Sequence, residues 1–210
     1  INDFCVVDLS SFYFDIIKDR LYCDGENSAS RRSAQTALFL ILDAMTRMFA
    51  PILAFTCEEI WLAMPHRSAD DSRSVLLNCM VQPYEGYALP EDAMDRWARN
   101  AAVRSAVNGA LEQARADKTI GKSLEAEVDV TVPAEDAFLA ELNADTLADL
   151  LIVSQVRVTV GDALTVTVAP AQGVKCARCW KVLTSVGTVA GHDTLCPRCA
   201  AVVKALPVVE

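Results

Sequence analysis

The sequence predicts a mainly α-helical protein with a smaller α+β part and a C-terminal zinc-ribbon-like knuckle. Three observations support this class. Apolar residues recur at helical spacing in the first half of the chain, residues after 124 alternate as strands do, and two Cys-x-x-Cys pairs lie near the end. With 210 residues and a hydrophobic fraction of 52%, the chain can form one large domain or two to three small ones.

The first two helices are predicted from apolar periodicity and from their stop signals. Apolar residues from Asp3 to Tyr22 form one helical face, and Asp24-Gly25 ends that helix. Ser28 or Ser30 can cap a second helix, which is the cleanest amphipathic pattern in the chain. Pro51 breaks or kinks this second helix.

A third helix is predicted from Ile52 to Met64. Its residues Phe55, Ile60 and Trp61 are expected to face inward, and Pro65 ends it. Since the connections between the three helices are short, they indicate an antiparallel bundle.

Residues 66–90 are predicted to cross the surface, with one short strand near Val75 to Leu77. His66 follows Pro65 and is expected to be exposed and without a special role. A fourth helix is predicted from about Glu91 to Ala116. Its expected packing side consists of Trp97, Ala101, Val107, Leu111 and Ala114.

Arg104 lies within that apolar stripe, where a cation has two interpretations. In the structural interpretation, its side chain reaches the solvent-exposed rim of the packed face or pairs with a carboxylate. In the functional interpretation, it contacts a phosphate. Gly121-Lys122-Ser123 suggests a phosphate-binding loop, but that motif needs a glycine where Ala116 stands. We therefore reject the phosphate-loop interpretation.

Alternation predicts a strand over Leu124 to Val132, followed by two short helices in residues 134–151. Val153 to Val160 and Leu164 to Val168 are predicted to form a hairpin around Gly161-Asp162. The order strand, helix, strand, strand implies a small α+β unit.

The two Cys-x-x-Cys pairs predict a four-thiolate zinc site at Cys176, Cys179, Cys196 and Cys199. Two residues between cysteines let one tight turn aim both sulfurs at one ion, and tetrahedral zinc needs a second such turn opposite. Four thiolates leave no open position, so the ion is expected to be structural. Two redox pairs or two disulfides are the alternative.

Cations and one tryptophan surround these cysteines. The cations are Lys175, Arg178, Lys181, Arg198 and Lys204, and Trp180 adjoins the second cysteine. Such neighbours suit phosphate contacts and base stacking. Alternatively, Trp180 covers the metal core and the cations offset the charge of the thiolates.

The net charge of −9 argues against a general nucleic-acid coat, because uniform backbone binding needs a broad basic surface. Cys5, Cys23, Cys57 and Cys79 are scattered, as reduced core thiols of a cytoplasmic protein would be. No apolar run is long enough to span a membrane. Converging catalytic groups are not evident, and the only histidines are His66 and His192.

The order of motifs closely resembles bacterial isoleucyl-tRNA synthetases over nearly the whole chain. The resemblance is carried by Phe12-Tyr13-Phe14-Asp15-Ile16-Ile17-Lys18-Asp19-Arg20-Leu21-Tyr22, Arg31-Arg32-Ser33, Ala50-Pro51-Ile52-Leu53-Ala54-Phe55-Thr56, Tyr84-Glu85-Gly86, Glu112-Gln113-Ala114-Arg115-Ala116-Asp117-Lys118, Ser123-Leu124-Glu125-Ala126 and the two cysteine pairs with Arg178, Trp180 and Arg198. Other large class I synthetases share a helical bundle, but its combination with a four-cysteine zinc tail is typical of the isoleucine family.

The resemblance implies three domains. Residues 1–88 would be a helical anticodon-binding domain, residues 89–170 a long helix plus a small α+β junction domain, and residues 171–210 a zinc-binding tail. The family's nucleotide-binding signatures, His-Ile-Gly-His and Lys-Met-Ser-Lys-Ser, are absent here. We therefore expect a C-terminal fragment, with ATP used only in the absent catalytic domain, where the full-length enzyme joins isoleucine to its tRNA.

The resemblance also implies tRNA contacts. The expected residues are Trp180, Arg178, Lys181, Arg198, Lys18, Arg20, Arg31 and Arg32. Val182 stands where family members often have an aromatic residue or a histidine. The expected partner is isoleucine-specific tRNA, with neither DNA nor a membrane, and the expected state is a cytoplasmic monomer. A competing interpretation is a zinc-stapled protein-interaction module without RNA binding, although such a staple would not need the basic and aromatic neighbours.

Overall fold

A computed structural model describes residues 1–206, which form two compact units. Unit 1 contains residues 1–25 together with residues 89–206, and unit 2 contains residues 26–88. By packing, therefore, residues 1–25 belong with the second half of the chain, whereas the sequence analysis grouped them with residues 26–88. The division into domains 1–88, 89–170 and 171–210 stays a prediction.

Unit 2 is built on two helices, α2 (Ala29–Phe49) and α3 (Ala54–Ala63). The Ser28 hydroxyl caps α2 by accepting a hydrogen bond from the Arg31 amide at 3.1 Å. The interruption at Pro51 is confirmed, because α2 ends at Phe49 and α3 begins three residues after the proline.

The core of unit 2 surrounds Trp61, which is fully buried as predicted. Phe55 was expected beside it, but this ring is 90% exposed, because Phe55 lies in the first turn of α3 on a different face from Cys57 and Trp61. His66 was expected to be exposed and is half-buried, with its ring 4.6 Å from that of Trp61.

The predicted strand at Val75–Leu77 is wrong, since these residues form a 3-10 turn. Ser74 stabilises the turn by accepting a hydrogen bond from the Leu76 amide at 3.2 Å. A similar turn occupies Glu85–Tyr87. A pattern over only three residues cannot distinguish a strand from a 3-10 turn.

The helices of unit 1 begin with a π-helical segment, Phe4–Tyr13, which continues directly into α1 (Phe14–Cys23). The predicted first helix is thus helical throughout but changes its winding at Phe14. Helix α4 spans Glu91–Ala116, as predicted. Within residues 1–206, no helix is long and apolar enough to cross a membrane.

The packing side of α4 differs slightly from the prediction. Its buried residues are Val103, Val107, Leu111 and Ala114. Ala101 is exposed, and Trp97 remains 44% exposed while its ring meets that of Phe12 edge to face. Arg104 has the structural role, because its guanidinium lies 4.8 Å from the Phe12 ring and its Nε donates to the Leu150 carbonyl at 3.2 Å.

A three-stranded mixed sheet forms the centre of unit 1. Its strands are β1 (Ala126–Pro133), β2 (Gln155–Gly161) and β3 (Thr165–Pro170), in the order β2-β1-β3. Strand β1 pairs parallel with β2 and antiparallel with β3. The predicted β2–β3 hairpin is therefore wrong, because β1 lies between the two strands. The central Val128, Val130 and Val132 belong to the buried core, against which Val158 of β2 and Val166 and Val168 of β3 are partly buried.

Helix α5 (Ala144–Leu151) packs on this sheet together with α4, after a 3-10 segment at Ala134–Leu139. Between α4 and β1, a 3-10 turn occupies Ser123–Glu125. The amides of Gly121 and Lys122 donate to the Glu125 carboxylate at 3.0 and 3.1 Å, so these donors are already bonded within the chain. This agrees with rejecting a phosphate-binding loop.

The cysteine-rich segment contains two short strands, β4 (Val174–Lys175) and β5 (Val182–Leu183), and ends in α6 (Pro197–Ala205). The β4–β5 hairpin encloses the first cysteine pair. Gly187 and Gly191 have φ angles of +79° and +77°, as expected of residues that supply bends.

Candidate metal centre and nucleic-acid interface

Four buried cysteines converge in unit 1. The Sγ atoms of Cys176, Cys179, Cys196 and Cys199 all lie within 4.8 Å of one another. The hairpin formed by β4 and β5 holds the first pair. Cys196 occupies the N-cap position of α6, and Cys199 lies in the first turn of that helix. Two separate local structures thus bring two sulfurs each to a common point.

The cluster fits a zinc ion. Tetrahedral coordination at a Zn–S distance of about 2.3 Å separates the sulfurs by about 3.8 Å, and the Sγ atoms of Cys179 and Cys196 are 3.9 Å apart. The Cys196 amide also donates to the Cys176 sulfur at 3.4 Å, an outer contact that orients a thiolate ligand. With four sulfur ligands the site has no open position for a substrate.

Backbone donors favour the thiolate form of Cys176. Burial alone would raise the pKa of this thiol, but amides of Cys179, Cys196 and Arg178 stabilise the charged sulfur and lower its pKa to about 6. Burial raises the pKa of Cys179 to about 11. The site is therefore prepared to supply at least one thiolate near neutral pH, and a cation would favour ionisation of the others.

Trp180 is held at the surface by the turn of the first cysteine pair. Its amide donates to the Cys176 carbonyl at 3.0 Å, its φ angle is +66°, and its side chain is 59% exposed. The alternative that Trp180 covers the metal core does not match this exposure. The ring adjoins a cavity of about 400 Å³, whose apolar walls include Ile16, Leu124, Ala148 and Ile152.

Three of the five cations near the cysteines have partners in unit 1, whereas Lys175 and Lys204 are exposed. Arg178 donates to the carbonyls of Tyr22 and Cys23, the first at 3.1 Å. Lys181 Nζ lies 2.5 Å from Asp149 Oδ1. Arg198 forms ion pairs with Asp19 and Asp24. Of the three, none presents an unpaired cationic head group to solvent.

The other cations expected to contact tRNA are divided between the two units. Lys18 is exposed on α1 and pairs with Asp15 at 2.6 Å. Arg20 also lies on α1, whereas Arg31 and Arg32 lie in the first turn of α2, in unit 2. Trp180, Arg178, Lys181 and Lys18 line the same cavity.

Sequence reasoning missed the acidic and backbone partners of these cations. Asp19, Asp24 and Asp149 had no assigned role, because the residues that pair are up to 179 positions apart in the sequence. Cys23 was treated as a scattered thiol, but it is buried against the four-cysteine cluster, and burial raises its pKa to about 12. Cys79 was expected to be a core thiol and is exposed.

Comparison with known protein families identifies the family of this chain. A model of the anticodon-binding domain of tRNA ligases matches residues 1–130, and a model of the zinc finger found in FPG and IleRS matches residues 173–202. Residues 1–130 are more than half of the chain. The chain belongs to the anticodon-binding domain family of tRNA ligases.

Curated members of this tRNA ligase family support the assignment. The chain is 46% identical to the isoleucine–tRNA ligase of Syntrophotalea carbinolica over 96% of its own length. It is 40% identical to that of Caldicellulosiruptor saccharolyticus and 43% identical to that of Neisseria gonorrhoeae, over 97% and 95% of its length. The chain spans 21–22% of the length of these tRNA ligases. The resemblance to bacterial isoleucyl-tRNA synthetases is confirmed.

Proposed function

We propose that this chain is the tRNA-binding, anticodon-recognising part of an isoleucine–tRNA ligase, with its ATP-dependent chemistry in a catalytic domain that the chain does not contain. The support is the family assignment together with Trp180, an exposed aromatic residue fixed beside the cysteine cluster. Isoleucine-specific tRNA as the partner, a monomeric state and a cytoplasmic location are parts of the same proposal.

In this proposal, Cys176, Cys179, Cys196 and Cys199 hold one structural zinc ion. The ion would supply a cross-link between the turn after β4 and the start of α6, which are 20 residues apart. Because Trp180 follows the second of these cysteines directly, the cross-link would also fix the tryptophan backbone.

Trp180 is the observation that carries the proposal. Unstacked anticodon bases offer flat faces to an aromatic ring, and one stacked base is worth about 1 to 3 kcal/mol. The cavity beside Trp180 is about 400 Å³ in volume, which is room for a base against its apolar walls.

The test is tRNA binding by zinc-loaded wild type, Trp180→Ala and the matched control Trp97→Ala. Trp97 is another partly exposed tryptophan of unit 1, but it lies on α4 against Phe12. Trp180→Ala should weaken binding about 5- to 150-fold, and Trp97→Ala should leave it unchanged. In a full-length ligase, Trp180→Ala should raise the KM for tRNA with little effect on adenylate formation. Unchanged tRNA binding by Trp180→Ala would remove this residue from the interface.

A zinc-stapled protein-interaction module is the second candidate, and one observation favours it. Arg178, Lys181 and Arg198 are paired within unit 1, so the cations that distinguished an RNA-binding surface from a plain staple are engaged. A gel shift against tRNA at low and moderate salt separates the two functions. Binding that weakens as salt rises supports phosphate contacts, and no binding at low salt supports the staple.

A further inference from the structure

The guanidinium of Arg198 contacts two aspartates at the end of α1. Its Nη1 and Nη2 lie 2.5 and 2.8 Å from the two carboxylate oxygens of Asp19, and Nη1 lies 3.3 Å from Asp24 Oδ1. Both planar groups are thus matched atom for atom, which is the geometry of a bidentate arginine–carboxylate pair. The contact ties α6, which contains Cys199 and directly follows Cys196, to α1.

Arg178 makes a second connection to the same end of α1. It donates to the carbonyl oxygens of Tyr22 and Cys23, which lie in the last turn of the helix and have no helical partner of their own. The same guanidinium lies 3.8 Å from Cys199 Sγ. In return, the Cys23 thiol donates to the Arg178 carbonyl at 3.7 Å.

These contacts close one side of the cavity beside Trp180. Asp19, Tyr22 and Cys23 line the cavity from α1, and Arg178 and Trp180 line it from the first cysteine turn. Separation of these two elements would remove the wall that faces the tryptophan.

The two aspartates take up three of the five N–H donors of Arg198 and offset its charge. The side chain of Arg198 is 38% exposed, and the side chain of Asp19 is 20% exposed. Burial works against the charge of Asp19, but the hydrogen bond from Arg198 holds its pKa below the ordinary value. Moreover, any phosphate near Arg198 would face the negative charges of Asp19 and Asp24, which disfavours its approach.

We propose that Asp19, Arg198 and Arg178 are positioning residues that lock the zinc-binding segment onto α1 and thereby fix Trp180 for RNA, and that Arg198 does not contact the phosphate backbone. The inference rests on the proposed function for its RNA readout. It implies that the acidic Asp19 favours binding of the anionic tRNA, whereas electrostatic repulsion alone would make Asp19 unfavourable.

The experiment compares five single variants and one double variant of the zinc-loaded chain by tRNA affinity over a range of salt. Asp19→Asn removes a negative charge, so electrostatics alone predicts tighter binding, whereas loss of the lock should weaken binding about ten-fold. Asp8→Asn is the matched control, because it removes the same charge from an exposed residue of the π-helical segment before α1, outside the cavity, and should cause no loss. Arg198→Lys keeps the charge but loses the fork, and it should also weaken binding. Asp19→Glu keeps the carboxylate and should restore most of the affinity.

Arg198→Gln gives the readout that separates a lock from a phosphate contact. A lost phosphate contact reduces the slope of log affinity against log salt by about 0.7 to 1, whereas a lost lock lowers affinity at an unchanged slope. If Arg198 acts through Asp19, the tRNA affinity of the double variant Asp19→Asn/Arg198→Gln should be no lower than the lower of the two single-variant affinities. Cobalt(II)–thiolate absorption, measured on each variant, shows that the cysteine cluster is intact.

The proposal is overturned if Asp19→Asn binds tRNA as well as or better than wild type, or if Arg198→Gln reduces the salt slope. Failure of wild type to bind tRNA would instead contradict the proposed function. The lock is then judged by chelator-driven zinc release. Faster release from Asp19→Asn than from Asp8→Asn supports it, and equal rates overturn it.

Discussion

The sheet region and the cysteine-rich segment belong to the same unit but are stabilised in different ways. The sheet region buries fifteen apolar residues from β1, β2, α4 and α5 and their connections. The cysteine-rich segment buries chiefly Cys23 and the four ligand candidates, with only Leu183, Val186 and Leu195 partly buried against them. Its strands are two residues long.

The difference shows where each region obtains its stability. Burial of apolar surface stabilises a sheet with helices packed on it without any ligand. About 30 residues with so little apolar burial need another source. In the proposed zinc site this source would be the sulfur–metal bonds, supplemented by the contacts of Arg178 and Arg198. The two regions should therefore respond separately to metal removal and to core mutations.

Metal removal should give the largest effect. Structural zinc sites contribute about 10 to 16 kcal/mol of apparent binding free energy in small zinc-finger peptides. A strong chelator, or Cys176→Ser, should abolish the hydrogen-exchange protection of residues 174–199 while the amides of β1 remain protected. Cys79→Ser is the control, because this thiol is exposed in unit 2 and the variant should keep its zinc. Loss of protection in β1 on chelation would show that the two regions are not independent.

Leu139→Ala should give the converse result. Leu139 is 1% exposed in the sheet core, and such truncations cost about 2 to 5 kcal/mol. The free energy of unfolding of the sheet region, from urea denaturation followed by circular dichroism, should fall by this amount. Zinc affinity should stay the same, and the exposed Leu164→Ala should alter neither quantity. A parallel fall in zinc affinity would contradict the comparison.

Gly173→Ala should damage the cysteine-rich segment without touching a ligand. Its φ angle is +118°, and an added Cβ would lie 2.2 Å from the Leu183 backbone, so the β4–β5 pairing must shift. We expect a loss of more than about 1 kcal/mol, seen as weaker zinc binding in a chelator competition. Gly191→Ala is matched in φ sign but meets open space and should have the smaller effect. Equal effects would mean that the crowding at Gly173 is relieved elsewhere.

Asn143→Ala should give the smallest effect. The Asn143 side chain accepts from the amides of Asp145 and Thr146 and caps α5, and loss of such a cap costs about 1 kcal/mol. Thermal unfolding of the sheet region should shift down slightly, and Asn143→Asp, which preserves the acceptor, should not. A decrease in zinc content in Asn143→Ala would link α5 to the metal centre through Asp149 and Lys181.

Local patterns in the sequence predicted much of this structure. The spacing of the cysteines identified the cluster, Ser28 and Pro51 marked helix ends, and periodicity located α4 from Glu91 to Ala116. Each of these signals lies within about 25 residues of chain, where spacing directly determines which side chains share a face.

The wrong strand pairing and the missed arginine partners concern residues that are distant in sequence. Alternation identified β2 and β3 as strands but could not show that β1 lies between them. Nothing in the sequence indicated that Arg178 and Arg198 reach α1, more than 150 positions away. Composition does not indicate which carboxylate or carbonyl a given arginine will meet, because that depends on the tertiary packing.

The left-handed backbone of Trp180 has a consequence for separating folding from recognition. A φ angle of +66° is easily adopted by glycine, and holding a bulky aromatic residue there costs of order 1 to 3 kcal/mol. Trp180→Gly should therefore relax the turn while it deletes the ring. A variant that is more stable and binds RNA less well would show that the tryptophan at this position strains the backbone but contributes to RNA recognition.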